Sequence, residues 1–287
     1  MAHGEQPKSL TTPGQVFAHF KQLPEMQEFI RACYYDDVQE AARRFCCSSE
    51  FAEVKSFVAK WGKEPPGLVL DLGGGNGMGS LAWEMNGYRA ILLEPDPDIV
   101  VGYGAILPLI TQGRTAVRVC AAVAESIPFP ETVVDIVYIR QVLHHVPDLD
   151  KAAAEIHRVL KPGGVCLATR EHVISKREDL ERFRAAHIIH KYTGGENAYL
   201  AEEYIRALRR AGFKHVTVRR RWESSINYYP TTGDQLTDIL IQHAQGFCGE
   251  CAAQRLVRIR PIHRLLSRLL ASRDDEPGRM YSFLAVK

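Results

Sequence analysis

The stretch "GLVLDLGGGNG", residues 67–77, constrains this chain more than any other. An apolar run ends in Asp71, and four of the next six residues are glycine. Glycine inside regular structure costs about 0.5–1 kcal/mol relative to alanine, so such a run marks a place where the backbone must turn sharply or come close to something. A buried strand, an acid, a glycine turn and a helix over 78–86 make a βα unit. Its helix N-terminus presents free N–H groups and positive dipole charge to a ligand. The spacing is D-x-G-x-G-x-G, through Asp71, Gly73, Gly75 and Gly77. It departs from the G-x-G-x-x-G turn of dinucleotide folds, because Met78 stands where the third glycine belongs. A P-loop is excluded, since no Lys-Ser/Thr pair follows the glycines.

Around this loop, apolar runs at 67–72, 90–93, 116–121, 133–139 and 165–169 alternate with helical patterns near 78–86, 97–111 and 148–160. Alternation of this kind predicts a mostly parallel sheet with helices on both faces. A helix over 200–211, a strand over 213–222 and a last strand "RMYSFLAVK" follow, and 230–278 reads as largely helical. Before the sheet, 16–61 is helical, with Phe17, Phe20 and Leu23 on one face and Phe51, Val54, Phe57, Val58 and Trp61 on another. The breaker "EPPG" at 64–67 ends it. The chain therefore divides into an N-terminal helical lid (1–63), a core (64–222), a helical insert (223–278) and a final core strand (279–287).

Net charge is +2 with 24% charged and 46% hydrophobic residues, which favours no class of partner. No apolar run is long enough to span a bilayer. The start "MAHGEQPKSL" lacks an apolar signal core, so a cytoplasmic chain is expected. Seven irregularly spaced cysteines do not make a disulfide framework.

At this point the sequence resembles the class I S-adenosylmethionine-dependent methyltransferases, over roughly residues 64–172. "VLDLGGGNG" is similar to their first motif, where the glycine loop passes under the methionine part of the cofactor. "AILLEPD" ends the second strand in Glu94, matching the acid that takes the ribose hydroxyls. "AAVAESIPFP" resembles the stretch beside the adenine, and there Ala124 and Glu125 are the expected contacts. Val123 departs from the acid usual in that family. "VDIVYIRQVLHHV" resembles the fourth-strand motif, and "HRVLKPGG" the turn before the fifth strand. The resemblance implies a Rossmann-like, seven-stranded, mostly parallel sheet with an antiparallel last strand. It also implies S-adenosyl-L-methionine as cofactor, held by Asp71, Gly73, Gly75, Gly77, Glu94, Ala124, Glu125 and Arg140. Asp135, at the start of its strand, reads as structural.

A sulfonium methyl is already activated, so the protein must mainly hold a nucleophile in line. A base is needed only where the acceptor has a proton to lose. Candidates are His145, in the pair His144–His145 after the fourth strand, and His172, beside Glu171 after the fifth. Asn227 and Tyr228, in the polar opening "ESSINYYP" of the insert, are the expected acceptor contacts, with Ser225 and Tyr229 beside them. Tyr34 and Tyr35 lie in the segment that would cover the cofactor. His187 and His190 have helical i, i+3 spacing, but no third ligand is fixed, and no metal is expected there. His243 with Cys248 and Cys251 is a lone C-x-x-C and reads as structural. Arg260, Arg264 and Arg268, with Arg219–Arg221, form a basic stripe whose default reading is a solvated face. The place after the fourth strand lacks the Pro-Pro-aromatic run of base-modifying relatives, which argues against nucleic acid as substrate. The resulting expectation is methyl transfer to a small polar acceptor such as a saccharide or another metabolite, at oxygen before nitrogen. A nicotinamide oxidoreductase and a non-catalytic Rossmann-like binding protein are the alternatives; the oligomeric state is open.

Overall fold

In the computed structural model, residues 10–287 are described. The sheet strands are β1 (Leu68–Leu72), β2 (Arg89–Leu93), β3 (Arg118–Cys120), β4 (Val134–Arg140), β5 (Leu160–Ile174), β6 (Tyr199–Leu200), β7 (His215–Arg219) and β8 (Arg279–Val286). Their order is β3-β2-β1-β4-β5-β8-β7, with the two-residue β6 beside β5. All pairings are parallel except those of β8, which runs antiparallel to β5 and β7. The fold is therefore the expected α/β class, with eight strands rather than seven. The extra strand arises because β5 continues to Ile174 and offers a free edge to Tyr199–Leu200.

Side-chain alternation decides what each face buries. Val69, Ile136, Tyr138, Leu167 and Leu284 point to one face, while Leu70, Leu72, Val137, Ile139, Cys166, Ala168 and Phe283 point to the other. On the first face lie α3 (Val38–Cys46), α4 (Ser49–Lys60) and α5 (Met78–Met85), with Phe51 tilted against Phe45 and edge-on to Trp83. On the second lie α7 (Leu149–Val159) and α10 (Ala201–Arg210). Between β2 and β3 the expected helix over 97–111 is only α6 (Leu107–Thr111), preceded by a 3-10 turn at Tyr103–Ala105. Asp98 Oδ1 accepts from the N–H groups of Val100 and Val101, and this local turn competes with a helix start.

The N-terminal segment has two destinations. Helices α3 and α4 belong to the core, whereas α1 (Pro13–Phe20) and α2 (Gln27–Ala32) pack with Val100, Val101, Ile188 and Ile189 over the open end of the sheet. The insert holds α11 (Ser225–Tyr228), α12 (Gly233–Cys248), α13 (Glu250–Val257) and α14 (Arg260–Arg273). Its apolar residues Leu236, Leu240 and Val257 form a separate small core with Trp222 and Tyr228. Ser225 anchors it by donating through N–H and Oγ to Glu53 of α4.

Asn227 differs from its expected acceptor role. It is buried: its amide donates to the carbonyls of Arg219 and Arg220, and its oxygen accepts from Ser282 Oγ at 2.6 Å. Asn227→Ala strands these partners, so it should destabilise the fold by about 1–3 kcal/mol, as read by urea denaturation. A variant as stable as wild type would show that this network is not holding the insert to the sheet.

Candidate functional site

In open α/β sheets the ligand crevice lies beyond the carboxyl ends of the strands, where the strand order reverses. Here that point is between β1 and β4. A cavity of about 530 Å³ opens there. Its floor is the glycine loop with Asp71. Tyr138, Arg140 and Gln141 come from the end of β4, and Arg170 and His172 from β5. Phe17, Phe29, Cys33 and Tyr35 form the cover.

The glycine run has two separate causes. Gly75 has φ +54°, and a Cβ there would lie 2.8 Å from the Val101 carbonyl oxygen. Gly74 has no such backbone, but its Cβ would lie 2.5 Å from Asp71 Oδ2. The loop is bare partly because an acid lies directly against it. That acid is buried and accepts from Ser80 Oγ at 2.7 Å. Burial pushes Asp71 up to about 7, against the hydrogen bonds from Ser80. Glu94, at the end of β2, accepts from the N–H of Gly75 at 3.0 Å and that of Asp96 at 2.9 Å. Burial raises it too, opposed by these two bonds. Asp71 thus lines the cavity against the loop, whereas Glu94 holds the Gly75 N–H from outside the cavity wall.

Gly73 and Gly75 line the cavity, whereas Gly77 caps the start of α5 behind it. Ala124 is packed in the core beside Ile127, and neither it nor Glu125 is part of the cavity wall. Asp135 is structural, accepting from the Leu68 N–H and from Lys161. Arg140 is in the wall but paired: its guanidinium donates to both oxygens of Glu50 at 2.7 and 3.2 Å. Burial opposes its charge, yet Glu50 more than offsets this and holds Arg140 above its ordinary value. Of the insert, Tyr229 and Pro230 reach the cavity, while Tyr228 faces the small core of the insert.

A register shift in β5 between Ala168 and Glu171 distributes the next side chains. Arg170, at φ +59°, sends its guanidinium to the carbonyls of Ile226 and Tyr229 and leaves Nε buried without a partner among the described residues. Burial lowers its pKa. Glu171 accepts from the N–H groups of Val142 and His144 and meets His144 Nδ1 at 2.7 Å. His172 Nδ1 lies 2.6 Å from the Gly278 carbonyl oxygen, so it carries the proton. His145 and His172 both line the cavity as expected, joined by His144, His187 and Glu196. Burial holds His144 and His172 well below the usual imidazole range. The sequence reading missed Glu50, Arg170 and Glu196. Glu50 looks like an N-terminal helix acid and Glu196 like a loop residue, so neither carried a local signal.

Other sequence candidates lie elsewhere. His190 Nδ1 accepts from the Glu196 N–H. His243 bonds the Ile239 carbonyl one turn back, and Cys248 and Cys251 are exposed free thiols. Arg221 pairs with Glu276, and Arg268 lies 3.9 Å from Glu223. No helix among the described residues is long and apolar enough to cross a membrane.

Residues 70–168 match a protein-family model described as a methyltransferase domain. That span runs from the glycine strand to the middle of β5. The malonyl-[acyl-carrier protein] O-methyltransferase of Serratia marcescens is 33% identical over 107 residues, 37% of this chain and 39% of that protein. The chain thus spans about two fifths of that relative's length. Among solved structures, a Galdieria sulphuraria protein provisionally named a sarcosine dimethylglycine methyltransferase aligns with TM-score 0.56 and 18% identity, over 87% of each chain. Phosphoethanolamine N-methyltransferase 2 of Haemonchus contortus, solved with phosphomonomethylethanolamine and S-adenosylhomocysteine, aligns with TM-score 0.53 and 17% identity. It covers 90% of this chain and 59% of that one. These likenesses establish the Rossmann-like fold.

Two predictions follow from the charges. A buried Asp71 that binds its proton up to about pH 7 folded, against an ordinary value near 3.8, makes the native state hold more protons in that window. Stability from this group therefore falls as pH rises from about 4 to 7. Asp71→Asn should flatten that part of the curve, so thermal melts of variant and wild type should diverge most above pH 7. Parallel curves would refute the burial argument. Glu50→Ala leaves Arg140 unpaired in the wall and should cost about 3–5 kcal/mol in chemical denaturation.

Proposed function

We propose that this chain transfers a methyl group from S-adenosylmethionine to a small polar acceptor. The observation that carries the reading is one cavity joining an acid-braced glycine loop to a cluster of imidazoles. The residues fit the cofactor's mixed charge. Asp71 offers a carboxylate from the cavity wall, Glu94 is the acid for the ribose hydroxyls from just behind that wall, and Arg170, its buried Nε unpartnered among the described residues, offers a cation to the carboxylate. Bound there, S-adenosylmethionine supplies a sulfonium-activated methyl group. The protein's part is to orient the acceptor and exclude water, which the cover formed by Phe17, Phe29 and Tyr35 supports. Burial lowers the pKa of His145, keeping its ring neutral and able to accept a proton from an acceptor hydroxyl. Oxygen is the first choice of acceptor atom and nitrogen the second. In the relatives above, the names cover both atoms. A saccharide or similar hydroxylated metabolite suits the polar end of the cavity. Tyr229 replaces Asn227 and Tyr228 as the insert's contact with it.

Calorimetry with S-adenosylhomocysteine and with NAD tests the cofactor. Binding of the first and not the second is expected; the reverse would make the chain an oxidoreductase. Gly75→Val introduces a β-branched side chain at positive φ against Val101. Adenosylhomocysteine affinity should fall at least tenfold, about 1.4 kcal/mol. Unchanged affinity would place the cofactor elsewhere.

A further inference from the structure

Glu196 enters the acceptor end of the cavity from the loop before β6. Its side chain is only 12% exposed, and burial raises its pKa. Among the described residues no Lys or Arg pairs with its carboxylate; its charged-group neighbours are imidazoles. His144 Nε2 lies at 3.9 Å, His145 Nε2 at 3.8 Å and His187 Nδ1 at 3.7 Å. Donor atoms of His144, His145 and Glu196 all lie within 4.8 Å of one another, and so do those of His172, His187 and Glu196. The two triads share one carboxylate and come from four segments: the turn after β4, β5, the end of α8 (Asp179–Ala186) and the loop before β6. Local sequence spacing therefore did not bring them together.

The surrounding hydrogen bonds prepare these rings as ligands. The proton of His144 is on Nδ1, toward Glu171, and that of His172 on Nδ1, toward the Gly278 carbonyl. Each Nε2 is left with a free lone pair. Carboxylate and carbonyl partners on the far nitrogen are the usual supports of metal-binding histidine. Tetrahedral zinc with bonds of about 2.0–2.1 Å needs donor atoms roughly 3.3 Å apart. The carboxylate-to-imidazole spacings are 3.7–3.9 Å and the other donor pairs of each triad lie within 4.8 Å, so side-chain shifts close the site around an ion.

We propose that His144, His145 and Glu196 form a three-ligand binding site for one divalent transition-metal ion of the zinc or iron(II) type, with His172 and His187 beside the same carboxylate as neighbouring donors. The imidazole majority disfavours magnesium and calcium, which take oxygen donors. On the methyl-transfer reading, the ion takes the lone pair that would make His145 a base and itself lowers the pKa of a bound acceptor hydroxyl. That role rests on the reading above; metal binding does not.

The test uses neither cofactor nor acceptor. Full-length protein stripped with chelator is titrated with Co(II), followed by visible absorption, and with Zn(II), followed by calorimetry. One equivalent of Co(II), visible bands of a four- or five-coordinate ion, and displacement by Zn(II) are expected. Glu196→Gln and His145→Gln should each weaken affinity about tenfold or more. Both keep the side-chain bulk, and His145 is solvent-facing; circular dichroism and melting curves confirm their fold. No saturable one-equivalent binding in wild type overturns the proposal, as does wild-type affinity in both variants. Adenosylhomocysteine calorimetry fails or succeeds independently of this result.

Discussion

The register shift in β5 between Ala168 and Glu171 is the constraint on which the polar half of the cavity depends. A regular strand sends alternate residues to opposite faces. Here the irregularity sends three consecutive side chains to three different tasks. Arg170 ties the insert to the sheet through the Ile226 and Tyr229 carbonyls. Glu171 holds the turn that carries His144. His172 is locked by Gly278, and its own carbonyl accepts from Tyr204. Bulges beside functional sites commonly re-aim side chains in this way.

Desolvation sets the charge state of the whole cleft. It raises Asp71, Glu94, Glu171 and Glu196, and it lowers His144, His145, His172 and His187. The two trends leave a weakly charged, hydrogen-bonded interior, with the Glu50–Arg140 pair as its strongly coupled ion pair. A charged ligand or ion entering such a site interacts with little competition from water. Arg170 adds a cation whose Nε has no partner among the described residues. Asp71 and Glu94 lie at the glycine-loop end, while Glu171 and Glu196 lie among the imidazoles at the other.

Much of the scaffold was legible because its signals are local. Asp71 and the glycines announced a βα turn, the apolar runs announced the parallel sheet, and Asp135 read as structural from its place at a strand start. Two local readings failed for identifiable reasons. The segment 97–102 has helical-looking apolar spacing, but Asp98 binds the Val100 and Val101 N–H groups and opens a turn instead. Asn227 reads as a polar contact for a ligand, but the adjacent strand end at Arg219–Arg220 and Ser282 of β8 use up its amide.

The sequence by itself determined the α/β class, the strand–glycine–helix turn and the end of the sheet at which the cavity opens, because periodicity and glycine spacing act over a few residues. Only the tertiary structure decided which polar groups meet. Glu50 reaches Arg140 across 90 positions, and Glu196 meets His144, His145 and His187 from a loop with no motif of its own. Such partnerships depend on how separate elements converge at the strand ends and on burial that leaves each charge no water to turn to, and neither is written in the spacing of neighbouring residues.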